Sequence, residues 1–221
     1  ILKGKHLSTL IISGFTLLSV LFAAKIKLRT IILSCLVVVF SALLVLSFGS
    51  KYRSNRLNVY YSYSLFYRLL NKEAPPIEAD DLQVKESITA LSNGGFFGRG
   101  SEGGMAKFKF LPEAKTDYVF SILGEQYGFA GAVIIFLLYV LIFYRSLFIS
   151  SSHKSFFYFL TGIGLALNIF LNVVVNIGVA MSALPSTGVT LPFISYGGTS
   201  FLINSFSIGM LLNISARSKI L

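Results

Sequence analysis

Five apolar stretches, near 7–24, 30–49, 120–149, 156–183 and 190–214, constrain this chain more than anything else in it. A helix needs about 20 apolar residues to cross the hydrocarbon of a bilayer. In lipid the backbone must satisfy its own polar groups, so segments of this length are expected as helices. The third and fourth are long enough to tilt, kink or start in the interface. Gly162, Gly164 and Gly178 within the fourth suit close helix packing. Of 221 residues, 54% are hydrophobic and 13% charged, with a mean hydropathy of +0.75, which excludes a soluble domain. The expected fold class is all-α, a polytopic transmembrane helix bundle.

The formal net charge of +10 would suggest nucleic acid were it not for its distribution. Lys25, Lys27 and Arg29 lie between the first two spans with no acid among them. Arg145 and Lys154 bracket the turn between spans three and four, and Arg217 and Lys219 close the chain. The positive-inside rule makes these three sites cytoplasmic, so the charge orients the protein and meets headgroups. No nucleic-acid partner is expected. Lys3 and Lys5 fall on the other side against the rule. The chain starts with Ile1 and shows no signal-peptide pattern, so it is expected to be the C-terminal part of a longer protein. Cys35 lies alone inside the second span, which rules out a disulfide framework and suggests a packing residue. Only His6 and His153 exist, on opposite sides of the membrane, so no zinc site is expected.

Parity then divides the chain. Residues 1–49 hold two spans with a cytoplasmic link, 50–118 form an extracytoplasmic loop, and 119–221 hold three spans with a short outer link at 184–190. The outer loop carries ten of the nineteen basic residues and eight of the nine acids, so it is mixed in sign. Within it, 57–66 is aromatic-rich and suits the headgroup level. Lys72-Glu73-Ala74-Pro75-Pro76-Ile77-Glu78 marks a turn or short linker by its proline pair. Asp80 or Asp81 can cap a helix from about Leu82 to Ser92. The segment from Asn93 to Gly104 follows with six glycines in twelve residues, a density that lets backbone approach a ligand closely or lets a loop turn.

Two clusters could carry chemistry. The first is Leu111-Pro112-Glu113-Ala114-Lys115-Thr116-Asp117-Tyr118, at the mouth of the third span, which holds a further acid, Glu125. Ionisable groups at a membrane are expensive, and one there is a functional candidate by default. Glu113 and Asp117 are four apart and would share a helical face; such a pair can have its proton affinities pushed apart so that one acts as base, or it can be a solvated pair beside the headgroups. The second cluster runs from Leu184 through Pro185, Ser186, Thr187 and Gly188 to Pro192, Ser195, Gly197, Gly198 and Ser200. Its prolines, glycines and hydroxyls predict a broken helix, either offering freed N–H groups to an anionic head or simply kinked and satisfied by its own hydroxyls. Arg53, Arg56, Lys107, Lys109 and Lys115, with Lys51 and Arg99, give the outer loop cations for a phosphate-bearing lipid or for ordinary anionic lipids. Asn168, Asn172 and Asn176 stand at i, i+4 and i+8, a stripe for interhelical hydrogen bonds or a groove wall.

Together these clusters resemble the SEDS family (shape, elongation, division and sporulation), the FtsW/RodA/SpoVE group. The likeness rests on Asn93-Gly94-Gly95-Phe96-Phe97-Gly98-Arg99-Gly100, on Leu111 to Phe120, on Gly124-Glu125-Gln126-Tyr127-Gly128-Phe129-Ala130-Gly131, and on Leu184 to Gly188 with Leu191 to Ser200. Order and spacing match from about residue 83 to 215. There are departures: Gln126 and Lys115 replace the family's usual Glu and His, Thr187 stands where the division subgroup often has Lys, and no Asn-Pro follows Arg53 and Arg56. They leave division, elongation and sporulation roles open.

The resemblance implies a peptidoglycan glycosyltransferase polymerising lipid II at the outer face of the bacterial cytoplasmic membrane. It implies ten spans, five of them in this chain, and a class B penicillin-binding protein as partner, together with other division or elongation proteins. Asp117 falls on the family's essential acid, as a base on the acceptor hydroxyl or as ligand of a divalent cation, magnesium or manganese; no organic cofactor is implied. Candidate substrate-binding residues are Arg53, Arg56, Gln83, Ser87, Gly95, Gly98, Lys107, Lys109, Glu113, Lys115, Glu125, Ser186, Thr187, Gly188, Pro192, Ser195, Gly197 and Gly198. The competing classes are a flippase for the lipid-linked precursor and a non-catalytic scaffold for a transpeptidase.

Overall fold

Hydropathy alone places most of the helices. The structure, a computed structural model, describes residues 7–47, 58–64, 82–100 and 117–217. Among them every regular element is helical: α1 (Leu7–Ala23), α2 (Leu28–Ser47), α3 (Leu82–Gly94), α4 (Val119–Ser151), α5 (Phe156–Ala180) and α6 (Gly198–Arg217), with a short helical turn over 58–63. Three of these, α4, α5 and α6, are long and apolar enough to cross a membrane, and α1 is a shorter apolar helix. The described residues are those of an all-α membrane protein.

The chain forms two compact units. The first takes Ile1–Phe48, Leu138–Asn172 and Gly198–Leu221. In it α1 and α2 form a hairpin whose turn bends at Lys25, in the left-handed region at φ 52°. The C-terminal half of α4 and the N-terminal half of α5 pack closely: Phe143 stacks on Phe170 with ring centroids 4.3 Å apart, and a Cβ on Gly162 would run into Ser150 Oγ. Small residues thus let backbones approach where lipid offers no hydrophobic drive between helices. Arg217 donates from its guanidinium to Tyr158 Oη at 2.7 Å. Cys35 is exposed on α2 rather than packed as expected.

The second unit takes Gly49–Leu137 and Val173–Gly197, and contains every described site residue except Gly198. The fifth apolar stretch departs from expectation: it is helical only from Gly198, and 191–197 is turn and irregular backbone. Leu191, Phe193 and Ile194 raise the local hydropathy, but Pro192 lacks an N–H and Phe193 sits at φ 65°, so the helix cannot extend backward through them.

Candidate active site

The end of α5 sets the frame. Ala183 N–H donates to Gly178 O at 2.8 Å and Ser182 N–H to Val179 O at 3.0 Å, with Ser182 left-handed at φ 54°. This is the Schellman arrangement of a helix C-terminus, and Leu184 folds back over Gly178, where a Cβ would lie 2.8 Å from its Cδ1. The chain therefore turns into the 184–197 link before Pro185 is reached. Tyr60 from the helical turn at 58–63 donates to Ala183 O at 3.3 Å and secures the same corner.

One turn before that end, Asn176 projects into the unit with 0% exposure. Its Nδ2 donates to Asp117 O at 2.9 Å and to Val189 O at 2.7 Å. The amide thereby joins the residue that precedes α4 to the link that follows α5. Asp117 is half-buried, and its Oδ2 faces Gly188, 3.5 Å from where a Cβ would stand. Gly188 has φ +72°, so a side chain there would be strained as well as crowding the acid. Tyr118 beside it is 2% exposed. Thr187 Oγ1 is enclosed without a hydrogen-bond partner. Asp117 and Gly188, drawn from two distant sequence clusters, are thus brought together.

The link closes on itself further along. Leu191 N–H donates to Ser195 Oγ at 2.8 Å, while Ser195 N–H returns to Leu191 O at 3.0 Å and Ile194 N–H reaches the same carbonyl at 3.3 Å. Of the donors after Pro192 expected to be freed for an anionic head, the N–H groups of Ile194 and Ser195 are therefore already engaged, and Ser195 is a turn-closing residue. Pro192 is fully buried. Gly197 is half-buried, and Gly198, at the start of α6, is exposed with open space around it.

The glycine-rich segment also finds a different use. Helix α4 is broken at Gly128, with φ 67° and ψ −169°. The turn 95–99 docks into this break: Phe129 N–H donates to Gly95 O at 2.9 Å, Ala130 N–H to Phe96 O at 3.1 Å, and Arg99 N–H to Glu125 O at 3.0 Å. Backbone meets backbone here, since a Cβ on Gly94 would strike Gly124 O and one on Gly98 would strike Gln126 O. Gly98 thus brings backbone to a helix rather than to a ligand, whereas Gly95 is exposed and open. Arg99 Nε donates to Asn93 O at 2.9 Å and caps α3.

Glu125 lies beneath this turn at 1% exposure, enclosed rather than lining an open groove. Ser87, expected at the substrate, is fully buried: its hydroxyl pairs with that of Ser121 at 2.5 Å and donates to Ala180 O at 2.8 Å. It locks α3 to α4 and α5. Gln83 is half-buried on α3. On the same helix Glu86 has its Oε2 enclosed without a partner, and desolvation raises its carboxyl above its ordinary value. Arg53, Arg56, Lys107, Lys109, Glu113 and Lys115 lie outside the described residues, and with them the Glu113–Asp117 pairing.

An open apolar cavity of about 400 Å³ lies beside Phe120, lined also by Leu91, Gly124, Phe129, Ile177 and Met181. Among the described residues no group of three or more His, Cys, Asp or Glu could hold a metal. One carboxylate, Asp117, stands against Gly188; a single carboxylate suits an ion shared with a substrate's phosphates, as magnesium is often held, and not a protein cage. Sequence reasoning missed Asn176 as part of the site. Its stripe was visible, but Asn172 bonds within its own helix, donating to Asn168 O at 2.7 Å and Oδ1 at 3.0 Å, and of the three Asn176 reaches the segments at Asp117 and Val189.

Comparison with known proteins bears on what this arrangement serves. The family model described as cell cycle protein, covering FtsW, RodA and SpoVE, matches residues 1–220. A probable peptidoglycan glycosyltransferase FtsW of Geobacter sp. (strain M18) is 36% identical over 199 residues, 90% of this chain and 51% of that protein. Stage V sporulation protein E of Bacillus subtilis (strain 168) is 36% identical over 176 residues, 80% of this chain and 45% of that protein. The peptidoglycan glycosyltransferase RodA of Treponema pallidum (strain Nichols) is 35% identical over 173 residues, covering 78% and 40%. The chain spans about half the length of the curated relatives it matches. A solved chain described under structural coordination of polymerization and crosslinking by a peptidoglycan synthase complex shares the fold, with a TM-score of 0.62 and 24% identity over 91% of this chain and 53% of that one. The chain belongs to the FtsW/RodA/SpoVE family of cell cycle proteins.

Proposed function

We propose that this chain carries the catalytic rim of a peptidoglycan glycosyltransferase that polymerises lipid II at the outer face of the bacterial cytoplasmic membrane. In this reading it supplies five of about ten spans and a large extracytoplasmic loop, and works beside a class B penicillin-binding protein. The names of its relatives support the activity. The observation that carries the site is the placement of Asp117 against Gly188, with its backbone anchored through Asn176 to the link after α5.

The chemistry follows from that placement. An acceptor sugar hydroxyl attacks the anomeric carbon of the donor sugar, the new glycosidic bond forms, and the bond to the lipid diphosphate breaks. Asp117 takes the hydroxyl proton as attack proceeds, a role that contributes about 10²–10⁴-fold when the base is well placed. Gly188 sets no side chain of its own against the carboxylate. The cavity beside Phe120 is apolar enough for part of a lipid chain. In the alternative role, Asp117 would hold a divalent ion, which would supply charge neutralisation for the leaving diphosphate.

The test is glycan polymerisation from lipid II by the full-length protein with its partner, wild type against Asp117→Asn. Product formation should fall by about 10²–10⁴-fold; a variant that stays folded in the membrane and still builds polymer at the normal rate refutes the assignment. Chelator sensitivity of the wild type distinguishes the ion-holding role from the base.

A further inference from the structure

We propose that Asn176 is a positioning residue for Asp117: its carboxamide ties the carbonyl of Asp117 to that of Val189 and so fixes where the carboxylate stands against the 186–189 link. The inference rests on the reading of Asp117 as the reacting acid.

Three observations carry it. First, one side-chain nitrogen serves two carbonyls, 59 and 13 residues away in sequence, at 2.9 Å and 2.7 Å. Both partners are acceptors only, so the amide must face them with its NH₂, and its orientation follows from the chemistry. Second, the residue is wholly enclosed, while its Oδ1 has no partner. A position needed only for packing would carry leucine and avoid burying an unsatisfied oxygen. Third, the neighbouring stripe members do not share the task, because Asn172 donates to Asn168 instead.

The geometry also explains why few side chains could substitute. Aspartate has the shape but no hydrogens, and would set negative oxygens against two carbonyls. Glutamine carries the NH₂ one methylene too far out. Serine offers one hydrogen and can hold one segment only. With the tether gone, the carbonyl of Asp117 loses its tie through Asn176 to that of Val189, and displacement of a reacting group by about 1 Å can lower a rate by roughly 10²-fold.

The experiment uses the full-length protein with its partner and lipid II as the probe. In Asn176→Ala, kcat should fall about 10–100-fold with KM within about threefold, and Asn176→Asp should fall at least as far. The second readout does not depend on activity. In a chain freed of other cysteines, Cys35→Ser included, Asp117→Cys is labelled with a membrane-impermeant maleimide with and without Asn176→Ala. Labelling should quicken at least about tenfold once the tether is cut. A folded Asn176→Ala protein with wild-type kcat, or unchanged labelling at position 117, overturns the inference. If alanine does not accumulate in the membrane, Asn176→Ser is measured instead and should fall between. Should Asp117→Asn itself polymerise lipid II, the catalytic reading of the acid fails, while the labelling rates still decide whether Asn176 holds the segment.

Discussion

Replacing Gly128 by alanine tests whether the turn at 95–99 holds the break in α4. At φ 67° and ψ −169° the residue occupies a region that is essentially restricted to glycine, and a Cβ there costs about 1–3 kcal/mol. The new methyl would also strike Gly98 N and lie 2.6 Å from Phe96 O, so the turn must move. Moving it breaks the bonds from Phe129 to Gly95 and from Ala130 to Phe96, each worth about 1 kcal/mol net. Together these give about 3–5 kcal/mol against the docked turn. Every 1.4 kcal/mol is a factor of ten, so local opening should rise by roughly a hundredfold or more. Hydrogen exchange of the amides at 129 and 130, followed by mass spectrometry in detergent, reads this directly. The control is Gly209→Ala in α6, where nothing lies within 4 Å of the new Cβ and the change should be neutral or mildly stabilising. Wild-type exchange at 129 and 130 in Gly128→Ala would refute the argument that the turn satisfies the broken helix.

Two further outcomes follow from the same unit. Ser182 holds the left-handed position of the α5 cap at φ 54°, where glycine avoids a penalty of about 1–2 kcal/mol, so Ser182→Gly should raise the melting temperature by a few degrees; a fall would contradict the cap. Glu86 has a carboxyl raised by desolvation, so the folded state binds its proton more tightly than the unfolded chain does, and stability is lost as pH rises from the ordinary value of 4.5 through the raised folded value. Glu86→Gln should therefore stabilise the protein at neutral pH, with the gain fading toward pH 4; thermal unfolding that shows the same difference at both pH values would exclude this cause.

What was legible in the sequence follows from what hydropathy measures. It weighs side chains, so it located α1, α2, α4 and α5 closely, yet it read straight through Gly128, where the interruption lies in the backbone alone. The same blindness set the fifth span several residues early, because Leu191, Phe193 and Ile194 are apolar while the Ser195 hook and Pro192 forbid a helix. Glycine density announced a close approach at 93–104 but could not say to what; the partner of Gly94 and Gly98 is a helix about thirty residues onward. Asn176 was visible by its spacing, whereas its ties to Asp117 and Val189 exist only once α4 and α5 lie side by side. These omissions share a cause. The acid was found because charge near lipid is costly, but its surroundings are shaped by neutral residues whose value lies in hydrogens donated or Cβ atoms withheld. The precision of such a site is therefore set by backbone geometry, and its most sensitive positions are the glycines and the asparagine that no charge count would select.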